Sequence, residues 1–250
     1  MIGKFITGLG PIIAAWIALN DELGRDWIKA PLSLFSSYRE MAQFTLSTNL
    51  SGTVKMVVSE SEPLLIGLLL NTDAVALYKI AISIVNPLMI PVSQFINTTY
   101  PEMTKSIATH KWGDLRRLLG RVTLLSGGWT VLFFLIMLLF GPWILSIWGK
   151  EYIPAYTTMM ILIVGYGVSN IFFWNRTLLL SFGKANVPLY ILAAVALLKT
   201  GLAFVVVPNH GINAEAWLLS GNFILSVGLM VLIGMGMIRK SMREVAAEEA

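Results

Sequence analysis

Residues 122–149 contain no Asp, Glu, Lys or Arg, and most of their side chains are aliphatic or aromatic. A helix needs about 20 apolar residues to cross the hydrocarbon core of a bilayer, so this run predicts a membrane-spanning helix. The whole chain agrees, since 56% of its residues are hydrophobic and only 13% are charged, against about 25% in soluble domains. We therefore expect an all-α integral membrane protein.

Six further apolar stretches are separated by polar or Gly- and Pro-containing turns, which predicts about seven transmembrane helices in all. Their approximate bounds are 2–20, 39–70, 74–107, 118–149, 153–182, 189–207 and 214–238. Residues 1–20 are interpreted as a membrane helix and not a signal peptide, because no A-x-A cleavage pattern follows them. The predicted parts are this helix, a connector at 21–38, a six-helix lobe at 39–238 and a tail at 239–250. Pro87 and Pro91 should kink the third helix.

Basic residues between the predicted helices are distributed unevenly. The connectors after the first, third and fifth helices and the tail hold twelve of them, and the opposite side holds only Lys4 and Lys150. Because basic loops stay cytoplasmic, we expect a multi-pass protein of the cell (inner or plasma) membrane with a cytoplasmic C-terminus. The N-terminus would then lie outside, which suggests that helices are missing upstream. The twelve are Arg25, Lys29, Arg39, Lys105, Lys111, Arg116, Arg117, Arg121, Lys184, Arg239, Lys240 and Arg243.

Four cations fall inside or at the edge of predicted spans: Lys55, Lys79, Arg176 and Lys199. A cation in hydrocarbon costs roughly 2.5–3.5 kcal/mol on insertion scales, so such residues usually face a polar cavity or a partner charge. Arg176 and Lys199 have an alternative, because long basic side chains near helix ends extend to the interface.

Polar residues recur at steps of three or four along two neighbouring helices, which places each set on one helical face. A polar face inside a membrane helix predicts a shared cavity, and hydrogen bonds between helices are the alternative. The first set is Thr45, Thr48, Gly52, Lys55, Ser59 and Glu62, and the second is Lys79, Ser83, Asn86, Ser93 and Asn97.

Glu60 and Glu62 lie on the same helix as Lys55. They have two interpretations: an ion pair with Lys55 or Lys79 that locks helices, or a site for a coupling ion, since intramembrane carboxylates often carry protons. Glu215 on the last helix is a further candidate whose role the sequence leaves open.

The sequence predicts no catalytic residues, no metal site and no cofactor. It has no cysteine and only two histidines, which excludes thiol catalysis and Cys-based metal sites. No phosphate-cradling loop is present. A net charge of +4 could indicate nucleic-acid binding in a soluble protein, but in a membrane protein the distribution of the basic residues matters more than their sum, so nucleic acid is not an expected partner.

Four segments are informative when taken together: FTLSTNLSG at 44–52, PLLIG at 63–67, VALYKIA at 75–81 and FGPWILSIWGKEY at 140–152. In this order they resemble the second half of the polysaccharide flippases. These transporters belong to the multidrug/oligosaccharidyl-lipid/polysaccharide exporter superfamily and include O-antigen flippases of lipopolysaccharide biosynthesis.

The resemblance implies two six-helix lobes around a central cavity and alternating access. The cargo would be an undecaprenyl-diphosphate-linked oligosaccharide carried from the cytoplasmic to the outer leaflet for cell-surface polysaccharide biosynthesis. Residues 1–20 would be the last helix of the first lobe, so a missing N-terminal lobe or a partner chain is expected beside membrane lipid and the cargo. The alternatives are a cation-coupled drug exporter of the same superfamily, with Glu60 and Glu62 as coupling residues, and a non-transporting truncated fragment.

Overall fold

The computed structural model describes residues 38–248, except for the side chains of Tyr38, Glu40, Val58, Ser59, Glu60, Ala246 and Glu248. The predicted helix at 1–20 and the connector up to residue 37 lie outside this part. Every regular element in it is helical, so the prediction of an all-α fold is confirmed. The elements are α1 (Tyr38–Leu69), α2 (Thr72–Val85), α3 (Ile90–Ala108), α4 (Trp112–Ser146), α5 (Tyr156–Ile171), α6 (Asn175–Ser181) and α7 (Asn186–Glu248), with 3-10 segments at Asn86–Met89 and Lys150–Ala155.

Four helical stretches in residues 38–248 are long and apolar enough to cross a membrane: Thr72–Ala108, Trp112–Ser146, Lys150–Ser181 and Asn186–Val245. Helix α1 is not among them, because its polar residues lower its hydropathy. These stretches confirm an integral membrane protein, while seven crossings remain a prediction.

The third predicted helix is interrupted at its prolines. Helix α2 ends at Val85, the 3-10 segment Asn86–Met89 contains Pro87, and Pro91 lies in the first turn of α3. A proline has no backbone N–H and its ring clashes with the preceding turn, so both prolines lie where that donor is not needed. The interruption corresponds to the predicted kink.

Helix α4 begins at Trp112, six residues before the predicted start near Leu118. The charged segment before Leu118 had suggested a loop. It is an amphipathic helical turn, because Trp112, Leu115 and Leu119 are buried at steps of three and four while Arg116 and Arg117 are exposed.

Two other boundaries differ from the prediction. The stretch predicted as one helix at 153–182 is divided by a turn at 172–174, where the Nδ2 of Asn175 donates to the Phe172 carbonyl at 2.6 Å. The last two predicted helices form α7 on either side of Gly211, whose φ of 71° and ψ of −160° are not helical. Glycine adopts this left-handed backbone without a Cβ clash. Helix α7 also continues through the predicted tail to Glu248.

The core is formed by three clusters of buried side chains, of which the smallest, with Ala203, Val207 and Ala214, lies within α7, and the other two join several helices. One gathers residues of α2, α4 and α5 with the end of α1, including Tyr78, Leu145 and Met159. The other gathers α3, the start of α4, α6 and the end of α7, including Met103 and Leu178. These clusters hold the helices whose polar faces form the site.

Candidate functional site

Polar side chains connect α1 to the helices beside it. The Nη2 of Arg176 on α6 donates to the Thr48 carbonyl at 2.8 Å and to the Ser51 Oγ at 2.8 Å. Ser47 donates to the Oδ1 of Asn186 at the start of α7. These hydrogen bonds join α1 to α6 and α7 through Ser47, Ser51 and the Thr48 backbone, and Ser47 and Ser51 are not part of the polar face predicted on α1.

A cavity of about 320 Å³ lies between α1, α3, α6 and α7. Lys55 and Arg176 are the charged residues among its described lining, and both are cations. Polar groups also reach it from α3, α5, α6 and α7, namely Ser93, Ser169, Asn175, Thr177, Asn222 and Ser226. The rest of the wall is apolar and includes Met89, Val92, Ile96, Phe173, Leu192 and Met230.

Two atoms beside the cavity have unused hydrogen-bonding capacity. The Nε of Arg176 and the Oδ1 of Asn175 are buried and have no hydrogen-bond partner among the described residues. An unpartnered buried polar group is costly, and an anionic oxygen would satisfy the Arg176 donor. The cavity thus combines two cations with a largely apolar wall, which suits an amphipathic molecule with an anionic group.

A second polar cluster, the buried ion triad, consists of Glu62 on α1 and Lys199 and Glu215 on α7. All three side chains are at most 3% exposed. The Nζ of Lys199 donates to the Oε1 of Glu62 at 2.6 Å and also to the Oε1 of Glu215. Tyr78 donates its hydroxyl to the Oε2 of Glu62 at 3.4 Å. Glu62 therefore pairs with Lys199, and not with Lys55 or Lys79 as one interpretation of the sequence had it.

The triad also shows how α7 runs. Residues 199 and 215 would lie about 24 Å apart in a straight helix, yet their side chains are in contact. The two arms of α7 therefore fold towards each other at Gly211, and Ala203 and Val207 pack in one cluster with Ala214. Lys199 follows the cavity residue Ala196 by one turn, so the triad lies next to the cavity.

The triad carries more carboxylates than cations. Two ionised glutamates and one lysine give a charge of −1, and the Oε2 of Glu215 has no hydrogen-bond partner among the described residues. A proton or a monovalent cation would balance this charge.

Several predicted site residues lie elsewhere. Lys79, Asn86 and Asn97 are exposed along α2, the 3-10 segment and α3, and none of them lines the cavity. With Ser83 and Ser93 they form an exposed polar face on a stretch that is apolar enough to span a membrane. The side chain of Glu60 lies outside the described residues.

Comparison with known families gives one match, in which the MatE family model covers residues 55–205, more than half of the chain. The chain belongs to the MatE family. Comparisons with curated proteins and with solved structures found no significant match.

Membership in the MatE family makes the chain a membrane transporter of the exporter superfamily named above, and members of this family are transporters and not enzymes. The matched residues include Lys55, Lys79, Arg176 and Lys199, whereas Glu215 lies beyond the match. The four cations that the sequence placed in or near predicted spans thus all belong to the family domain.

Sequence reasoning did not find the triad as a unit. Lys199 has few polar residues near it on its own helical face, because its two partners are 137 and 16 residues away in sequence. The available signal was a lysine without local partners in a chain with two unassigned carboxylates, Glu62 and Glu215. A buried cation requires such partners, but the sequence does not specify which ones.

Proposed function

We propose that this MatE protein moves an amphipathic, anionic, lipid-linked oligosaccharide across the cell membrane by alternating access. The observation that carries this proposal is that Lys55 and Arg176 line the same cavity, whose other walls are largely apolar. The cargo class is an undecaprenyl-diphosphate-linked oligosaccharide used in cell-surface polysaccharide biosynthesis, including O-antigen.

The two cations suit a diphosphate. Guanidinium binds phosphate oxygens in a planar fork, while an ammonium acts as a compact point charge. Thr48 and Ser51 orient Arg176 through its Nη2. The apolar wall would contact the first isoprene units, and Asn222 and Ser226 would hydrogen-bond sugar hydroxyls.

The exposed polar face of Lys79, Asn86 and Asn97 supports a wider path. A polar face on a membrane helix requires water, cargo or another protein surface. We propose that a second lobe, or a partner chain that supplies one, covers this face and encloses a central passage for the glycan. Lys79 would then attract the anionic cargo from the opposite side of the passage.

The buried ion triad favours a second candidate, a cation-coupled drug exporter with Glu62 among the coupling residues. Its excess negative charge is the specific observation. The cavity argues against a cationic drug, because its charged lining residues in the described part of the chain are both basic. A coupling ion at the triad is compatible with either cargo.

Binding to the purified chain in detergent tests the proposal without requiring transport. A fluorescent polyprenyl diphosphate oligosaccharide should bind, and Lys55→Gln should weaken it by roughly tenfold or more, because hydrogen bonds to charged groups contribute about 1.5–3 kcal/mol. Arg176→Gln should weaken it similarly. Lys55 makes no hydrogen bond to another described residue, so its substitution separates binding from folding.

The matched control is Lys150→Gln, an exposed cation outside the cavity, which should bind within about twofold of the unsubstituted chain. If Lys55→Gln bound the polyprenyl diphosphate oligosaccharide as tightly as the unsubstituted chain, the anionic-cargo proposal would be wrong. Binding of a cationic dye that is lost in Glu62→Gln and retained in Lys55→Gln would instead establish the second candidate.

A further inference from the structure

A basic groove of about 350 Å³ lies where α3 ends and α4 begins, away from the cavity and the triad. Four cations line it: Lys105 on α3, Lys111 in the connector, and Arg117 and Arg121 on α4. Glu102 and Asp114 also line it, so its net charge is +2. Arg117 is 3.9 Å from Asp114, and the other three cations make no ion pair with any described residue.

The position of the groove between two candidate spans predicts that it lies at the depth of lipid headgroups. It joins the stretches Thr72–Ala108 and Trp112–Ser146, both of which are long and apolar enough to span a membrane. The hairpin between two spans must emerge at the membrane surface, so its side chains meet headgroups and not acyl chains. The distribution of basic residues predicts that this surface is cytoplasmic.

An exposed apolar face continues directly from the groove. Arg117 and Arg121 are one turn apart on α4, and Leu124 and Leu125 follow Arg121 by three and four residues, on the same side of the helix. These leucines are 77% and 61% exposed. The cations at the surface end suit a phospholipid headgroup, and the exposed leucines towards the membrane interior suit its acyl chains.

We propose that this groove is a binding site for a phospholipid whose headgroup carries two phosphates, of the cardiolipin class. The net charge of +2 balances a headgroup of charge −2, and basic pockets between transmembrane helices are known to bind such headgroups. The adjoining leucines favour an intact lipid over a soluble phosphate or an acidic protein segment. The site is separate from the cargo cavity and does not depend on the proposed cargo.

Native mass spectrometry of the purified chain in detergent, titrated with cardiolipin, tests the site. The triple variant Lys105→Gln, Arg117→Gln, Arg121→Gln should bind cardiolipin on the order of 100-fold more weakly, since each basic residue near the surface contributes roughly fivefold. The matched control is Arg116→Gln, Arg239→Gln, Arg243→Gln, which removes the same charge from exposed positions outside the groove. It should stay within about threefold.

Two further titrations identify the ligand chemistry. Phosphatidylcholine and inorganic pyrophosphate should each bind at least about tenfold more weakly than cardiolipin, because one lacks the charge and the other the acyl chains. The proposal is overturned if the two triple variants lose the same affinity, if either probe binds as tightly as cardiolipin, or if a polyprenyl diphosphate displaces cardiolipin at a lower concentration. All substituted residues are exposed, and circular dichroism should show unchanged helicity.

Discussion

At the scale of single residues, Lys199 depends on two partners that are distant in sequence. Its ammonium is 3% exposed and lies between the carboxylates of Glu62 and Glu215. Removing one partner from a buried ion pair leaves an uncompensated charge, which is more costly than replacing all members by neutral groups. The triad should therefore behave as a unit under mutation.

Lys199→Met is expected to lower the free energy of unfolding by about 3–5 kcal/mol, because two buried carboxylates lose their cation. The triple variant Glu62→Gln, Lys199→Met, Glu215→Gln should recover most of that loss, since it leaves no buried charge. Chemical unfolding in mixed micelles, followed by tryptophan fluorescence, measures both effects.

Lys240→Met is the matched control, because Lys240 forms an exposed pair with Glu244 at 3.8 Å. Exposed pairs between residues four apart contribute about 0.3–0.5 kcal/mol, so this variant should be almost unchanged. If Lys199→Met were as stable as Lys240→Met, the triad would have no structural role.

The candidate residues differ in how far the sequence alone could place them. Lys55 was expected in a polar cavity because Thr48 and Glu62 share its helical face; in the structure it lines a cavity whose wall is largely apolar. Arg176 had two interpretations, and the choice depends on Thr48 and Ser51. Helical periodicity in the sequence shows which residues share a face of one helix. Contacts between helices depend on helix tilt and register, and the periodicity does not determine either.

At the scale of helices, the closest approach of α5 to α7 depends on a glycine. A Cβ at Gly165 would collide with the Cα and side chain of Ser220 on α7. Ser220 donates its Oγ to the Ile161 carbonyl at 2.8 Å, one turn earlier on α5. Small residues let membrane helices pack backbone to backbone, so this contact sets the distance between two walls of the bundle.

Gly165→Ala is therefore expected to separate α5 from α7 and to cost about 1–3 kcal/mol, as overpacked cores do. The control is Gly201→Ala on α7, where an added Cβ meets no atom within 4 Å and the higher helix propensity of alanine is favourable by up to about 1 kcal/mol. Thermal unfolding in the same detergent compares the two. A Gly165→Ala protein that unfolds at or above the temperature of Gly201→Ala would contradict this account of the contact.

Helix existence followed from hydropathy and turn residues, but several helix boundaries did not, among them the start of α4 and the turn before α6. The start of α4 was predicted too late, because charged residues on its exposed side obscured the buried positions Trp112 and Leu115. The turn at 172–174 lies within an apolar stretch. The residues of the turn are about as hydrophobic as the helices on either side, so hydropathy does not mark a helix end there. Both boundaries involve contacts with other helices: Trp112 and Leu115 pack in the second core cluster, and Trp174 donates its Nε1 to the Thr123 Oγ1 at 2.8 Å.

At the scale of the molecule, the basic residues between the described helices are concentrated at one end of α4. The basic groove and the Lys184 turn join the spans at the end that also holds the second core cluster. Lys150 follows α4 at the other end of that helix. This asymmetry predicts the orientation of the protein, and α4 is the span that separates the two sets.

The orientation has a direct test because the chain contains no cysteine, so one introduced thiol reports one position. Lys111→Cys and Lys184→Cys should react with a membrane-impermeant maleimide only in inverted vesicles, and Lys150→Cys only in right-side-out vesicles. All three side chains are exposed, so the difference reports sidedness and not burial. Labelling of Lys111→Cys and Lys150→Cys from the same side would mean that α4 does not cross the bilayer. The opposite pattern for all three would reverse the orientation while leaving the crossing intact, and the basic groove would then face the outer leaflet.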